Sequence, residues 1–214
     1  MIDFFIQSIN FIKIYVIITL IYAMTLGFQK TNYRILITIL LISFGTELIN
    51  SALLFTNKTI GFSSTINVIL HNGLWLLLLL KNSKSKKVME AVTIIFFSYA
   101  FLNLFLLEGT DKFNYITFIV GALLYIGAFI WESFHHLKLE NFSFFTANKY
   151  LLLAAPVLFF FGLSFVFGFK SKELASTIVF GNIKLYALIM TVVNVIYYTL
   201  LNIYIFREKR AQHV

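Results

Sequence analysis

The chain contains no cysteine, a single proline and few charges. Without cysteine there is no disulfide, no thiolate metal site and no cysteine nucleophile. Charged residues make up 12% of the 214 residues, against roughly 25% in a soluble domain. Catalytic signatures are missing too. There is no Walker motif, no H-E-x-x-H and no G-x-S-G. The last apolar run carries no lysine at mid-depth, since Lys184 stands at its start, which excludes a retinal Schiff base. Beyond Glu47 and His71 no residue is placed for chemistry, and those two alone specify no reaction. An enzyme is not expected, nor is a metal or a cofactor.

What is present is apolar. Hydrophobic residues are 60% of the chain, phenylalanine alone accounts for 26 positions, and the mean hydropathy is +0.88. Lipid is therefore the expected solvent. The net charge of +8 would suggest nucleic acid in a soluble protein. Here the basic residues sit mainly between apolar runs, where they orient helices, so no nucleic-acid partner is expected. Many Lys, Ile and Asn with only three Arg point to an AT-rich bacterial genome.

A spanning helix needs about 20 mainly apolar residues. Seven runs qualify: 9–28, 35–55, 65–80 (with a start as early as Gly61), 88–107, 115–134, 150–169 and 185–206. The expectation is one all-α integral membrane domain, a seven-helix bundle over residues 1–214 with no soluble domain. The first run has no basic n-region and no small-residue exit, so it reads as a span, not a cleaved signal. Eleven Lys and Arg flank the runs on one side and five on the other, leaving aside Lys13 inside the first run. The richer side is cytoplasmic by the positive-inside rule, with the N-terminus outside and the C-terminus inside. The strongest signal is the connection K-N-S-K-S-K-K, Lys81 to Lys87. The expected location is the bacterial inner membrane.

Few polar residues interrupt the runs. Glu47 lies near the middle of the second, with Asn50 one turn further on the same face. Asn67 and His71 are four apart on the third, and Trp75 extends their stripe. At 1.5 Å per residue, Glu47 and His71 lie at similar depths below the outer end. They are expected to meet, with Asn50 and Asn67 above them. Asn103 and Asn194, on the fourth and seventh runs, fall at related depths. The resulting outer-half polar cluster is either a ligand-binding or proton-sensitive site, or hydrogen-bonded glue between helices.

Other features are read more simply. Pro156 must kink the sixth span and is a candidate hinge. Glu132, His135, His136 and Glu140 fit an interfacial loop better than a metal site, because adjacent His point apart on a helix. Gly121 and Gly127 offer small surfaces for close packing, without G-x-x-x-G spacing.

Seven outside-to-inside spans in about 200 residues resemble the membrane regions of bacterial seven-transmembrane receptors that feed histidine kinases or cyclases. The segments F-I-V-G-A-L-L-Y-I-G-A-F-I-W-E-S-F-H-H-L-K and Y-L-L-L-A-A-P-V-L-F-F-F-G-L also resemble small multi-pass proteins of flavobacterial type. The resemblance implies a sensor or accessory signalling subunit for a small ligand, a lipid or a proton. Only four residues follow Arg210, so the output is expected from a separate protein docked on the loops Lys81–Lys87 and His135–Lys149. The alternatives are a small transporter or channel with Glu47 and His71 along its path, and a membrane-acting effector or immunity protein.

Overall fold

The computed structural model describes residues 11–169, 177–181 and 183–212. Eight α-helices carry most of the described chain: α1 (Phe11–Met24), α2 (Thr31–Phe55), α3 (Gly61–Asn82), α4 (Lys86–Leu102), α5 (Tyr115–Lys138), α6 (Ser143–Thr146), α7 (Asn148–Phe169) and α8 (Leu185–Gln212). A π-helical turn, Asn103–Leu107, extends α4. A short antiparallel hairpin, β1 (Ile178–Phe180) with β2 (Ile183–Lys184), leads into α8. The described residues are thus all-α apart from this hairpin.

Among the described residues, six helices are long and apolar enough to cross a membrane: α2, α3, α4 with its π turn, α5, α7 and α8. Helices are what a lipid solvent demands, since each backbone group must find its partner within the segment. Large apolar side chains accordingly face outward, among them Ile94, Ile95, Leu106, Leu123 and Phe161. These features make a multi-pass membrane protein. The apolar helix α1 has 14 described residues. Ile9 and Asn10, where the first span is expected to begin, lie outside the described residues, as do Lys170 and Lys172 of the last connection.

The helices close a ring. Each of α1, α2, α3, α5, α7 and α8 packs on the next, and α8 returns to α1; α4 lies outside, against α3 and α5. Small residues allow the closest approaches. A Cβ on Gly162 of α7 would stand 2.3 Å from Val193 Cγ1 of α8, and one on Gly73 of α3 would stand 2.4 Å from the Phe97 ring of α4. Gly121 of α5 packs against Asn72 and Phe96 in the same way, whereas Gly127 faces open space.

Successive helices alternate in direction, so the bundle has two ends. At the tail end, α1, α3, α5 and α8 finish and α2, α4 and α7 begin. At the hairpin end lie the hairpin, the α2–α3 turn and the α4–α5 connection. Two connections at the tail end are shorter than expected. Lys81, Lys86 and Lys87 are helical, leaving Ser83–Ser85 between α3 and α4. His135 and His136 are not in a loop, because α5 runs on to Lys138, and α6 occupies part of the chain between α5 and α7. The last helix also runs beyond Phe206 to Gln212. Its polar final turns are held by tertiary bonds from Glu208, which hydropathy does not register.

Candidate functional site

The tail end is stitched by two carboxylates, one buried and one half-buried. Glu132 of α5 is 1% exposed. It accepts hydrogen bonds from Ser83 Oγ at 2.5 Å and from the Lys84 backbone N–H at 2.7 Å. His136, one turn on, places Nε2 3.3 Å from Glu132 Oε1 and stacks flat on Phe144 at 3.7 Å. The Lys149 ammonium donates to the Asn82 carbonyl at 2.7 Å. Glu208 of α8 accepts from Lys30 Nζ at 3.1 Å, from Asn148 Nδ2 at 2.7 Å and from the Tyr33 hydroxyl. Every helix that reaches this end, save α1 and the short α6, gives or receives one of these bonds or lies within two residues of one that does. Buried charges are tolerated when paired and fully hydrogen-bonded, and here they fix the connections to the helix ends.

The hairpin end is different. A cavity of about 340 Å³ opens inside the ring, lined from all six ring helices and by no residue of α4. Its polar wall comes from α1, α2 and α3. Ser43, Glu47 and Asn50 fall at i, i+4 and i+7 along one face of α2, and Ser64, Asn67 and His71 lie at i, i+3 and i+7 on α3. Its apolar wall comes from α5, α7 and α8, with Phe118, Phe159, Leu163, Phe167 and Met190.

Glu47 does not pair with His71. Its carboxylate meets Lys13 Nζ of α1 at 3.2 Å, with both side chains partly exposed (46% and 25%). Lys13 also donates to Ser51 Oγ at 3.4 Å. A lone charge at mid-membrane costs about 2.5–3.5 kcal/mol, so each charge lowers the cost of the other. The charge count leaves Lys13 aside because it sits within a span. That same fact is the signal for it: two opposite charges on sequence-adjacent apolar helices must each find a partner, and here they find one another.

His71, 7% exposed, is enclosed by rings instead. Phe159, Phe160, Tyr197 and Trp75 stand 5.6, 5.8, 6.3 and 6.4 Å from it, centroid to centroid. No hydrogen bond among the described residues reaches its ring. Asn50 donates to Ser64 Oγ at 3.2 Å and accepts from Ser63 Oγ, so it is satisfied within the α2–α3 hairpin. Asn194 donates to the Met190 carbonyl at 2.7 Å, and its Oδ1 has no partner among the described residues. Asn67 has none for either amide atom.

Asn103 is not in the cavity. It is fully buried in the π turn, where Nδ2 donates to Thr117 Oγ1 at 2.7 Å and to Glu108, tying α4 to α5. Five of the six expected cluster residues therefore line one space and Asn103 fastens another. Depth along a helix follows from the rise per residue. The side of α4 is not readable in the same way, because α4 stands outside the ring.

Beneath the cavity lies a floor of rings. Trp75, Tyr125, Tyr197 and Phe160 are buried to 1% or less, with Trp75 6.3 Å from Tyr125 and 6.1 Å from Tyr197. Below the floor, Leu36, Ile37, Leu40, Leu79, Leu152 and Leu201 fill the ring to the tail end. Pro156 lies in α7 beside this layer. The Tyr125 hydroxyl donates at 2.8 Å to the Leu153 carbonyl, one turn before it. A proline disturbs the carbonyls of its preceding turn, and this bond from α5 occupies one of them. Among the described residues no group of three His, Asp or Glu side chains is placed to hold a metal ion.

No protein-family model matches the chain, no curated protein is significantly similar to it, and no solved structure matches it. The likeness to seven-transmembrane receptors accordingly has no relative behind it, and the site is read from its own geometry.

Proposed function

We propose that the protein is a membrane sensor or accessory signalling subunit that binds its stimulus in the cavity. In this reading α1 completes a seventh crossing. The hairpin end faces outward with the N-terminus and the tail end lies in the cytoplasm of a bacterial inner membrane, as the excess of lysine at the tail end supports. The observation that carries the reading is a blind pocket: polar and aromatic walls above a floor of buried rings, with a continuous apolar core beneath. A blind pocket suits binding, whereas an open channel needs a continuous path. Occupancy would bias the packing of Phe159 and Tyr197, whose rings stack at 4.7 Å between α7 and α8. The proline-containing helix α7 would carry the change to the tail end, where the short connections after Asn82 and Lys138 offer a docking place for a separate signalling protein.

The test is crosslinking and affinity purification of the tagged protein at native expression. A histidine kinase or comparable signalling protein in stoichiometric amount is the expected result. A protein that purifies alone, and that moves a solute or proton in proteoliposomes only while Glu47 is intact, is a transporter. Toxicity on expression without either result points to a membrane-acting effector.

A further inference from the structure

We propose that the cavity takes an uncharged, ring-bearing small molecule that both donates and accepts hydrogen bonds. The inference rests on the reading of the cavity as a ligand site and adds the chemistry of the ligand. The volume of about 340 Å³ lies at the lower end of the roughly 300–1,000 Å³ range of small-molecule pockets. Phe118, Phe159 and Phe167 on the apolar wall suit a flat ring, since offset or edge-to-face ring contacts add to simple burial.

The polar groups left open define the rest. Asn67 Nδ2 is a donor and Asn194 Oδ1 an acceptor. A neutral His71 ring offers one of each. None of the three has a partner for these atoms among the described residues, although His71 and Asn194 are only 7% and 8% exposed. Asn67 Oδ1 is buried without a partner, which costs about 1–3 kcal/mol; the other open atoms belong to residues that line the cavity, where an occupant carrying both functions can meet them. Among the described residues that line the cavity the charges balance, with Lys13 and Glu47 3.2 Å apart. A charged ligand would have to break that pair and also bear the cost of low-dielectric surroundings. A neutral ligand does neither.

Trp75, packed 6.4 Å from His71, reports on the site. The chain has two tryptophans; replacing the exposed one, Trp131→Phe, leaves Trp75 as the only indole. Four probes of one ring size are titrated against its fluorescence in purified protein: benzamide, benzoate, benzylammonium and toluene. Benzamide is expected to give a saturable change, with the two ions and toluene about tenfold weaker or more. Asn194→Leu and, separately, Asn67→Leu are expected to weaken benzamide about tenfold while leaving toluene unchanged, which shows that the pocket still folds. Tighter binding of benzoate or benzylammonium, lost in the same variants, overturns the uncharged class and leaves the cavity a ligand site. Benzamide binding indifferent to both variants is partition into apolar protein or detergent, and overturns the proposal. No saturable signal from any probe means a cavity holding water only, and removes the ligand-site reading with it.

Discussion

Glu47 and Glu132 are both acids on apolar helices, and the two ends of the bundle treat them in opposite ways. Glu132 is sealed, and backbone, hydroxyl and imidazole groups surround it. Glu47 is half-exposed beside a cavity and shares one ion pair and a polar wall. The tail end spends most of its polar groups on one another, leaving His136 Nε2 and Asn148 Oδ1 without a hydrogen bond among the described residues. At the hairpin end Asn67, His71 and Asn194 are left with hydrogen-bonding capacity that no protein group among the described residues meets. Polar residues in a membrane are either glue or site, and this chain has both, separated along the helix axis. What distinguishes them is that the hairpin-end set lines a cavity and the tail-end set is packed against protein.

The comparison can be broken by substitution. Glu132→Ala should do the most harm, because it strands Ser83, His136 and the Lys84 N–H in a buried place. Breaking a buried pair costs about 3–5 kcal/mol, so thermal unfolding in detergent should fall by on the order of ten degrees. A change of a degree or two would mean that the tail end is not held by this residue. Tyr33→Phe removes one donor to the Glu208 carboxylate and should cost about 1.5–3 kcal/mol, visible as a smaller shift in the same assay. Gly162→Ala forces a methyl against Val193 and should cost about 1–3 kcal/mol. It should also disturb benzamide binding, since α7 and α8 carry the aromatic wall. Glu47→Gln should cost least, under about 1 kcal/mol, as expected for a partly exposed ion pair. It should nonetheless abolish the response to the stimulus. A loss of several degrees on Glu47→Gln would place Glu47 with the glue.

Much of this was legible in the residues. Lipid solvent leaves helix as the one spanning solution for each apolar run, so the six long helices followed from hydropathy, with most ends within a few residues. Depth along each helix follows from a fixed rise per residue, which is why Glu47, Asn50, Asn67, His71 and Asn194 fall in one space. Rotation was harder. A helix bathed in lipid on one side and packed on the other shows little hydrophobic contrast, so the outward place of α4, and with it the contacts of Asn103, left no trace. Partner choice was also hidden. His71 and Glu47 matched in depth, but Lys13 was nearer in space and ring contacts enclosed the imidazole. At the tail end, Glu132 and His136 stand one turn apart on α5. That i, i+4 spacing would have revealed a helical pair had the helix been carried past the last apolar residue.

The most direct test of a cavity open at the hairpin end and closed beneath uses the absence of cysteine, which makes the chain a clean background for single thiols. Ser43→Cys, Thr46→Cys and Ser64→Cys place a thiol on the cavity wall, Leu79→Cys places one in the core below the floor, and Lys84→Cys marks the tail end. A small membrane-impermeant thiol reagent is then applied to intact cells and to inverted vesicles. The expected result is labelling of the three cavity positions from the outside only, of Lys84→Cys from the cytoplasmic side only, and of Leu79→Cys from neither. Labelling of Leu79→Cys, or of the cavity positions from both sides, would reveal a path through the protein. Cavity thiols that stay unreactive from both sides would show that the polar cluster is sealed glue and not a site.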